Sequence, residues 1–225
     1  ASQNCIGCCL TFMGIVYGGF VAVPLNLVAS TKRMGYIVNH SEAKLIFVAD
    51  HCTDDIDEAL RGIGKYVMRV RLQYEAGPNW DEVTLNSDMD HTGPSLAADT
   101  IGLLMYTSGT TGNPKGVMLS HANLLAAGRF ISSGHTITQN DRALCVLPIY
   151  HINGLCVTVM GSTVSSSTLI LPYRFSVSVF WDIIVKYKCS WFSAVPTQFA
   201  YILNQSEATE DLSHLRFARS ASAPL

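Results

Sequence analysis

The chain has 225 residues, enough for one large domain or two small ones around a sizeable core. Only 14% of its residues are charged, against roughly 25% for an average soluble domain, and the net charge is −2 without a basic cluster. That balance argues against nucleic acid or an anionic membrane surface as partner, and charge this sparse is expected where other protein normally covers the surface.

Residues 1–31 carry no charged side chain. There is no basic leader and no initiator methionine, and Gly18, Gly19 and Pro24 interrupt the run, so a helix over 6–17 followed by a strand over 20–25 explains it better than a signal peptide or a membrane span. The abrupt start at Ala1 reads as a cut inside a domain. A second helix is expected over 31–39, with Met34, Ile37 and Val38 on one side, then a buried strand over 44–49. The acidic, amphipathic stretch 54–63 reads as a surface helix ending at Gly62 or Gly64. Residues 67–72 alternate around Arg69 and Arg71, as a strand near an edge would. From 73 to 99 the sequence is polar and broken by Gly77-Pro78 and Gly93-Pro94, which reads as loop.

Residues 101–106 are a short apolar run that predicts a buried strand. The segment 106–117 follows, Tyr-Thr-Ser-Gly-Thr-Thr-Gly-Asn-Pro-Lys-Gly-Val. After it, Ser120 is placed to cap a helix beginning near His121 and running through Phe130. Further on, strands are expected over 143–147, 167–171, 190–195 and 216–220. Helices are expected over 154–161, 177–187 and 196–204, the last started by Pro196. The uncharged run 143–173 is broken by Pro148, His151, Asn153 and serines, so it does not read as a transmembrane helix. Apolar strands alternating with helices predict an α/β fold of mostly parallel, doubly wound sheets with flanking helices.

Seven cysteines stand at 5, 8, 9, 52, 145, 156 and 189, an odd number at irregular spacing. Cys5 and Cys8 have no second pair, so core thiols in a reducing, cytoplasmic setting are the reading, in place of zinc ligands or a disulfide framework.

The segment 106–117 carries the chemistry. Glycines let a backbone approach a ligand closely, hydroxyls donate to phosphate oxygens, and Lys115 supplies a mobile positive charge. A strand, a glycine-rich loop and then a helix is a setting in which N–H groups are aimed at an anion. The common nucleotide P-loop requires lysine after the last glycine and then Ser or Thr; here Lys115 precedes Gly116 and Val117 follows, so that template fails, as does the dinucleotide glycine pattern.

The segment resembles the signature loop of the adenylate-forming superfamily, which includes acyl-CoA synthetases, aryl-CoA ligases, firefly-type luciferases and peptide-synthetase adenylation domains. Four more stretches resemble that family in the right order. They are Gly-Gly-Phe-Val-Ala-Val-Pro-Leu-Asn at 18–26, Leu-Pro-Ile-Tyr-His-Ile-Asn-Gly-Leu at 147–155, Ala-Val-Pro-Thr-Gln-Phe at 194–199 and the closing 215–225. In the last, Ala221 and Ser222 replace the usual glycine pair, adding volume where a substrate would pass.

The resemblance covers nearly the whole chain and implies a partial large N-terminal domain, residues 1–225, of an acyl-CoA synthetase-like ligase. Such enzymes join a carboxylate to ATP with release of pyrophosphate, then pass the acyl group to coenzyme A. It implies that Thr107, Ser108, Gly109, Thr110, Thr111, Gly112 and Lys115 hold the phosphates and that Thr107 helps hold Mg²⁺. His151 would lie beside the carboxylate, and Gly154, Val195, Ala221 and Ala223 would line the pocket for a fatty or aryl acid. His40, His51, His91, His121, His135 and His214 read as surface or capping residues. Relatives continue with an adenine-binding segment, a ribose-binding aspartate and a C-terminal domain with a catalytic lysine, so these 225 residues are expected not to complete adenylation alone. Two other readings stay open: a ligase that loads a carrier-protein phosphopantetheine, and a non-catalytic nucleotide-binding module. An unrelated phosphate-loop hydrolase is disfavoured by the position of Lys115.

Overall fold

The computed structural model describes residues 1–79, 93–107, 113–205 and 211–224. The chain forms two compact units, Ala1–Asn123 and Leu124–Leu225.

In the first unit, α1 (Ile6–Tyr17) and α2 (Thr31–His40) precede β1 (Leu45–Ala49), α3 (Thr53–Arg61), β2 (Met68–Gln73) and the two-residue β3 (Gly77–Pro78). Ser30 caps α2, its hydroxyl accepting from the Arg33 N–H. The apolar stripe of α2 (Met34, Ile37, Val38) packs with Ile46 and Val48 of β1 and with Ile56 and Ala59 of α3. Gly35 allows the two helices to approach, because a Cβ there would lie 2.6 Å from the Ala59 carbonyl oxygen. β1 and β2 run parallel and β3 antiparallel to β2. β2 buries Val70 and Leu72 and exposes Arg69 and Arg71, which pair with Asp57 and Asp50. β2 lies near an edge, as expected, with only the two-residue β3 beyond it.

A correction concerns residues 20–25. They form no ladder strand; Ala22 alone bridges Leu103, accepting from the Leu104 N–H and donating to the Gly102 carbonyl at 2.9 Å each. A second is larger. β4 (Ile101–Thr107) is followed not by a helix but by β5 (Lys115–Ser120), which returns antiparallel to it. Only then does α4 (His121–Gly134) start, capped by Ser120, whose hydroxyl accepts from the Asn123 N–H at 3.2 Å. The start of α4 therefore sits at the end of the hairpin remote from the loop. The aimed helix N-terminus expected beside the glycine loop is not there.

The second unit is built on β6 (Arg142–Cys145), β7 (Thr168–Ile170), β8 (Trp191–Ala194) and β9 (Phe217–Ser220), all parallel in the order β7-β6-β8-β9. The helix expected over 154–161 starts one residue earlier as a π-helix, Asn153–Val159, and continues as α5 (Met160–Ser165). The helix expected over 177–187 is a short 3₁₀ turn, Val177–Val179, leading into α6 (Phe180–Lys186), and α7 (Pro196–Gln205) follows β8. Both faces of the sheet are covered. Leu144, Phe192 and Ala194 pack with Phe180 and Ile184 of α6 and Phe199 and Ile202 of α7 on one side. Ala143 and Trp191 pack with Ile131 of α4 and Val157 of the π-helix on the other. The chain goes from β6 outward to β7, then crosses back to β8 on the far side of β6, so its winding reverses between β6 and β8. That is the doubly wound pattern.

All seven cysteines are free thiols and five are buried. Burial pushes the Cys145 thiol up to about 12, which leaves it inert as a nucleophile. No helix among the described residues is long and apolar enough to cross a membrane.

Candidate functional site

The candidates fall on two units. In the first, the β4–β5 hairpin holds both ends of the glycine loop: Thr107 closes β4, Lys115 opens β5, and the two are register partners. Both are exposed, and neither the Thr107 hydroxyl nor the Lys115 ammonium has a partner among the described residues. Antiparallel pairing thus brings a hydroxyl and a cation to one edge, as an anion such as a Mg²⁺-bound polyphosphate requires. Ser108, Gly109, Thr110, Thr111 and Gly112 lie outside the described residues.

The residue before Thr107 is tied down from another element. The Tyr106 hydroxyl hydrogen-bonds His40 Nδ1 at 2.7 Å, and the His40 ring stacks on Tyr36 at 5.3 Å. His40 is exposed, as its polar flanks imply, and it also holds Tyr106. The surface reading of His121 is corrected: its Nε2 is buried without a hydrogen-bond partner among the described residues. His135 stacks on Phe217, and His214 Nε2 meets the Ile184 carbonyl at 3.1 Å. Nothing in the sequence near these histidines signals the distant groups they touch.

In the second unit the candidates gather at the carboxyl ends of the parallel strands. In open α/β sheets the ligand crevice lies there, at the reversal of winding. His151 follows β6 after the turn at Pro148, whose carbonyl accepts the His151 N–H at 3.0 Å. The residue as a whole is exposed, but its ring is partly shielded from water and packs at 4.8 Å against Tyr150. Loss of water contact holds the His151 imidazole below its ordinary 6.5, so it is neutral at pH 7, offering one N–H and one lone pair but no charge. In an NMR titration of the intact protein, His151 is expected to change protonation below pH 6.5; a midpoint at or above 6.5 would contradict this environment.

Gly154 is buried and sits directly against residues 147–148, where a Cβ would be 2.4 Å from the Pro148 carbonyl oxygen. Glycine is what lets the π-helix start this close to the β6 exit. Val195 links β8 to α7. Its N–H donates to Gln198 Oε1 at 3.1 Å, and its carbonyl accepts from the Gln198 and Phe199 N–H groups, which caps α7. Ala221 follows β9, fully buried, and donates its N–H to the Ala194 carbonyl at 2.8 Å. Its methyl group is packed inside, not added to an open passage, so the extra volume expected there is confined to Ser222. Ser222 has φ 69°, the left-handed region that favours glycine, which is the backbone reason for glycine at that place in the resembled motif. Ala223 is exposed, its carbonyl accepting from the Ser220 hydroxyl at 2.7 Å.

A groove of about 590 Å³ lined by Thr136, Asp141, Lys188 and Arg216, among others, lies at the amino ends of the same strands. It contains none of the candidates. Two residues at the carboxyl ends were not singled out from sequence: Asn153, opening the π-helix, and Arg219 on β9, whose Nη1 donates to Asn153 Oδ1 and to the Ser193 hydroxyl at 3.2 Å each. The available signal is an arginine within the closing stretch 215–225, between Ala218 and Ser220.

The whole chain, residues 1–225, matches the profile of a family described as AMP-binding enzyme. It is 38% identical over 213 residues to a sulfoacetate–CoA ligase of Cupriavidus necator, covering 95% of this chain and 42% of that protein. An oxalate–CoA ligase of Saccharomyces cerevisiae is 28% identical over 96% of this chain and 44% of its own length. The structure of a long-chain-fatty-acid–CoA ligase from Archaeoglobus fulgidus matches with a TM-score of 0.87 at 24% identity, over 99% of this chain and 45% of that one; this likeness concerns the fold. The chain spans less than half the length of these curated relatives.

Proposed function

Because the chain belongs to the AMP-binding enzyme family, we propose that it is part of an ATP-dependent, AMP-forming acid–CoA ligase. The residues 1–225 would be a portion of its large N-terminal domain. In that reaction a carboxylate oxygen attacks the α-phosphorus of ATP, the bond to pyrophosphate breaks, and the acyl group then passes to the thiol of coenzyme A with AMP as leaving group. Negative charge develops on the departing pyrophosphate, so preorganised donors and cations at that position supply the catalysis. The observation that carries the reading is the register pairing of Thr107 with Lys115 across the two ends of the glycine and hydroxyl loop.

Lys115 would meet the phosphates as a mobile charge. Thr107 would hold Mg²⁺, which neutralises phosphate charge when bound. His151, neutral at pH 7, would orient the acid without pairing to it as a cation. The relatives' names favour coenzyme A over a carrier protein as acceptor, and the acids in those names, sulfoacetate and oxalate, favour a short acid over fatty or aryl ones.

The test is acid-dependent pyrophosphate release by the intact protein, with and without coenzyme A. Release with an acyl-CoA product is expected, and Thr107→Ala should lower the rate by about a hundredfold, the typical effect of removing one donor from a charge-stabilising site. Acyl-adenylate left unconsumed by coenzyme A would shift the acceptor to a carrier protein. No release with any acid, despite nucleotide binding, would leave a non-catalytic binding module.

A further inference from the structure

Arg219 lies near the carboxyl end of β9, and its guanidinium has no counter-ion among the described residues. It sits on β9 in register with Ser193 of β8, and on the sheet face that carries the π-helix. Among the described residues its only hydrogen bonds are the two from Nη1 to the neutral oxygens of Asn153 and Ser193, both at 3.2 Å. An arginine has five N–H donors. The remaining three, on Nε and Nη2, have no acceptor among the described residues, and the residue is half-buried.

The described acids of this unit are committed elsewhere. Asp141 pairs with Arg216 at the opposite ends of the strands, Asp211 accepts from Ser213, and Asp182 lies on α6, on the other face of the sheet. A half-buried guanidinium held by its Nη1 edge, with the Nε and Nη2 edge open, has the geometry that receives a carboxylate or sulfonate through two parallel hydrogen bonds. The two residues that hold it are next to the acid-site candidates in the chain, Asn153 two residues after His151 and Ser193 two before Val195.

We propose that Arg219 reads a second negative group on the acid, so that the substrates are short dianionic acids, dicarboxylates or sulfocarboxylates, activated at one end and held at the other. This rests on the ligase reading above. The Nη1 bonds fix the side chain in advance, so the anion meets a fork already oriented. A monoanionic chain of the same length would leave the open edge unpaired, and the site discriminates against it for that reason.

The experiment measures kcat/KM for pyrophosphate release by the intact protein with acetate, butyrate, hexanoate, benzoate, oxalate, malonate and sulfoacetate. It uses the unmodified protein and Arg219→Gln and Arg219→Lys. The unmodified protein should prefer the dianionic acids. Arg219→Gln should lower kcat/KM for them by about a hundredfold, mainly through KM for the acid, with KM for ATP within about twofold and little change for the monoanionic acids. Arg219→Lys, which keeps the charge but loses the fork, should fall between. Preference for the monoanionic acids in the unmodified protein would overturn the proposal by itself, with no variant needed. So would a loss in Arg219→Gln that is equal for all acids, or one carried by KM for ATP. The oxalate and malonate arms against the sulfoacetate arm tell which second anion is read. Failure to release pyrophosphate with any acid would instead remove the ligase reading, and this proposal with it.

Discussion

Replacing Gly154 by alanine is expected to disrupt the second unit at the start of the π-helix and to cost the intact protein at least about 3 kcal/mol. The new Cβ would lie 2.4 Å from the Pro148 carbonyl oxygen and 2.8 Å from that of Leu147, both backbone atoms that no side-chain rotation can clear. Relief would require moving the β6 exit or the turn that carries His151, whose carbonyl accepts the Leu155 N–H at 3.0 Å. Thermal denaturation should give a Tm lower by about 10 °C, with acid-dependent turnover lost in parallel. Gly134→Ala, in the same unit but with nothing within 4 Å of the added methyl, is the control and should leave Tm essentially unchanged. A Gly154→Ala protein melting with the unmodified one would refute the close approach.

Asp141→Ala is expected to be the second severe change. The Asp141 side chain is 3% exposed. It accepts from the Thr138 N–H at 2.8 Å, from the Ser190 hydroxyl at 2.7 Å and from Arg216 Nη1 at 2.5 Å. Ser190 in turn accepts the Arg142 N–H at 2.9 Å, so one carboxylate ties together the amino ends of β6, β8 and β9. Removing it takes the acceptor from two hydroxyls, those of Ser190 and Thr138, and from a backbone N–H, and leaves Arg216 without its carboxylate, a loss of about 3 kcal/mol. The Arg216 side chain is 42% exposed, which keeps the figure from being larger. Burial by itself raises the pKa of this carboxyl, but the bonds from Thr138, Ser190 and Arg216 outweigh it and hold the group below its ordinary 3.8. A depressed folded pKa means that the stabilisation is complete above pH 4 and is lost as pH falls through the folded value. The Tm gap between Asp141→Ala and the unmodified protein should therefore be constant from pH 5 to 8 and narrow only below about pH 4. A gap that closes already at pH 5 would show that the carboxylate is not held in this way.

The misread elements share a cause. β5 is not legible in the sequence, because Lys115-Gly-Val-Met-Leu-Ser120 is short and mostly exposed and, among the described residues, pairs only with β4. No alternation marks such a strand; its existence depends on a neighbour that only folding supplies. Residues 20–25 erred the other way, strongly apolar yet limited to one bridge at Ala22. Helices α1 and α2 and the strands β6 to β9 were legible within a few residues, since caps, prolines and apolar periodicity act locally.

The glycine and hydroxyl segment at 106–117, the order of the family's motifs and the alternation of apolar strands with helices are legible in the sequence alone. Each of these is written in neighbouring residues and their backbone preferences. Only the tertiary structure decided that β4 and β5 pair antiparallel on either side of residues 108–112 with α4 starting at their far end, that Gly154 serves a backbone crossing, and that His40 anchors Tyr106 across 66 positions. It alone decided that Arg219 is an arginine without a counter-ion among the described residues. Whether a charge is paired depends on which distant side chains the fold brings within about 4 Å, and no local pattern encodes that.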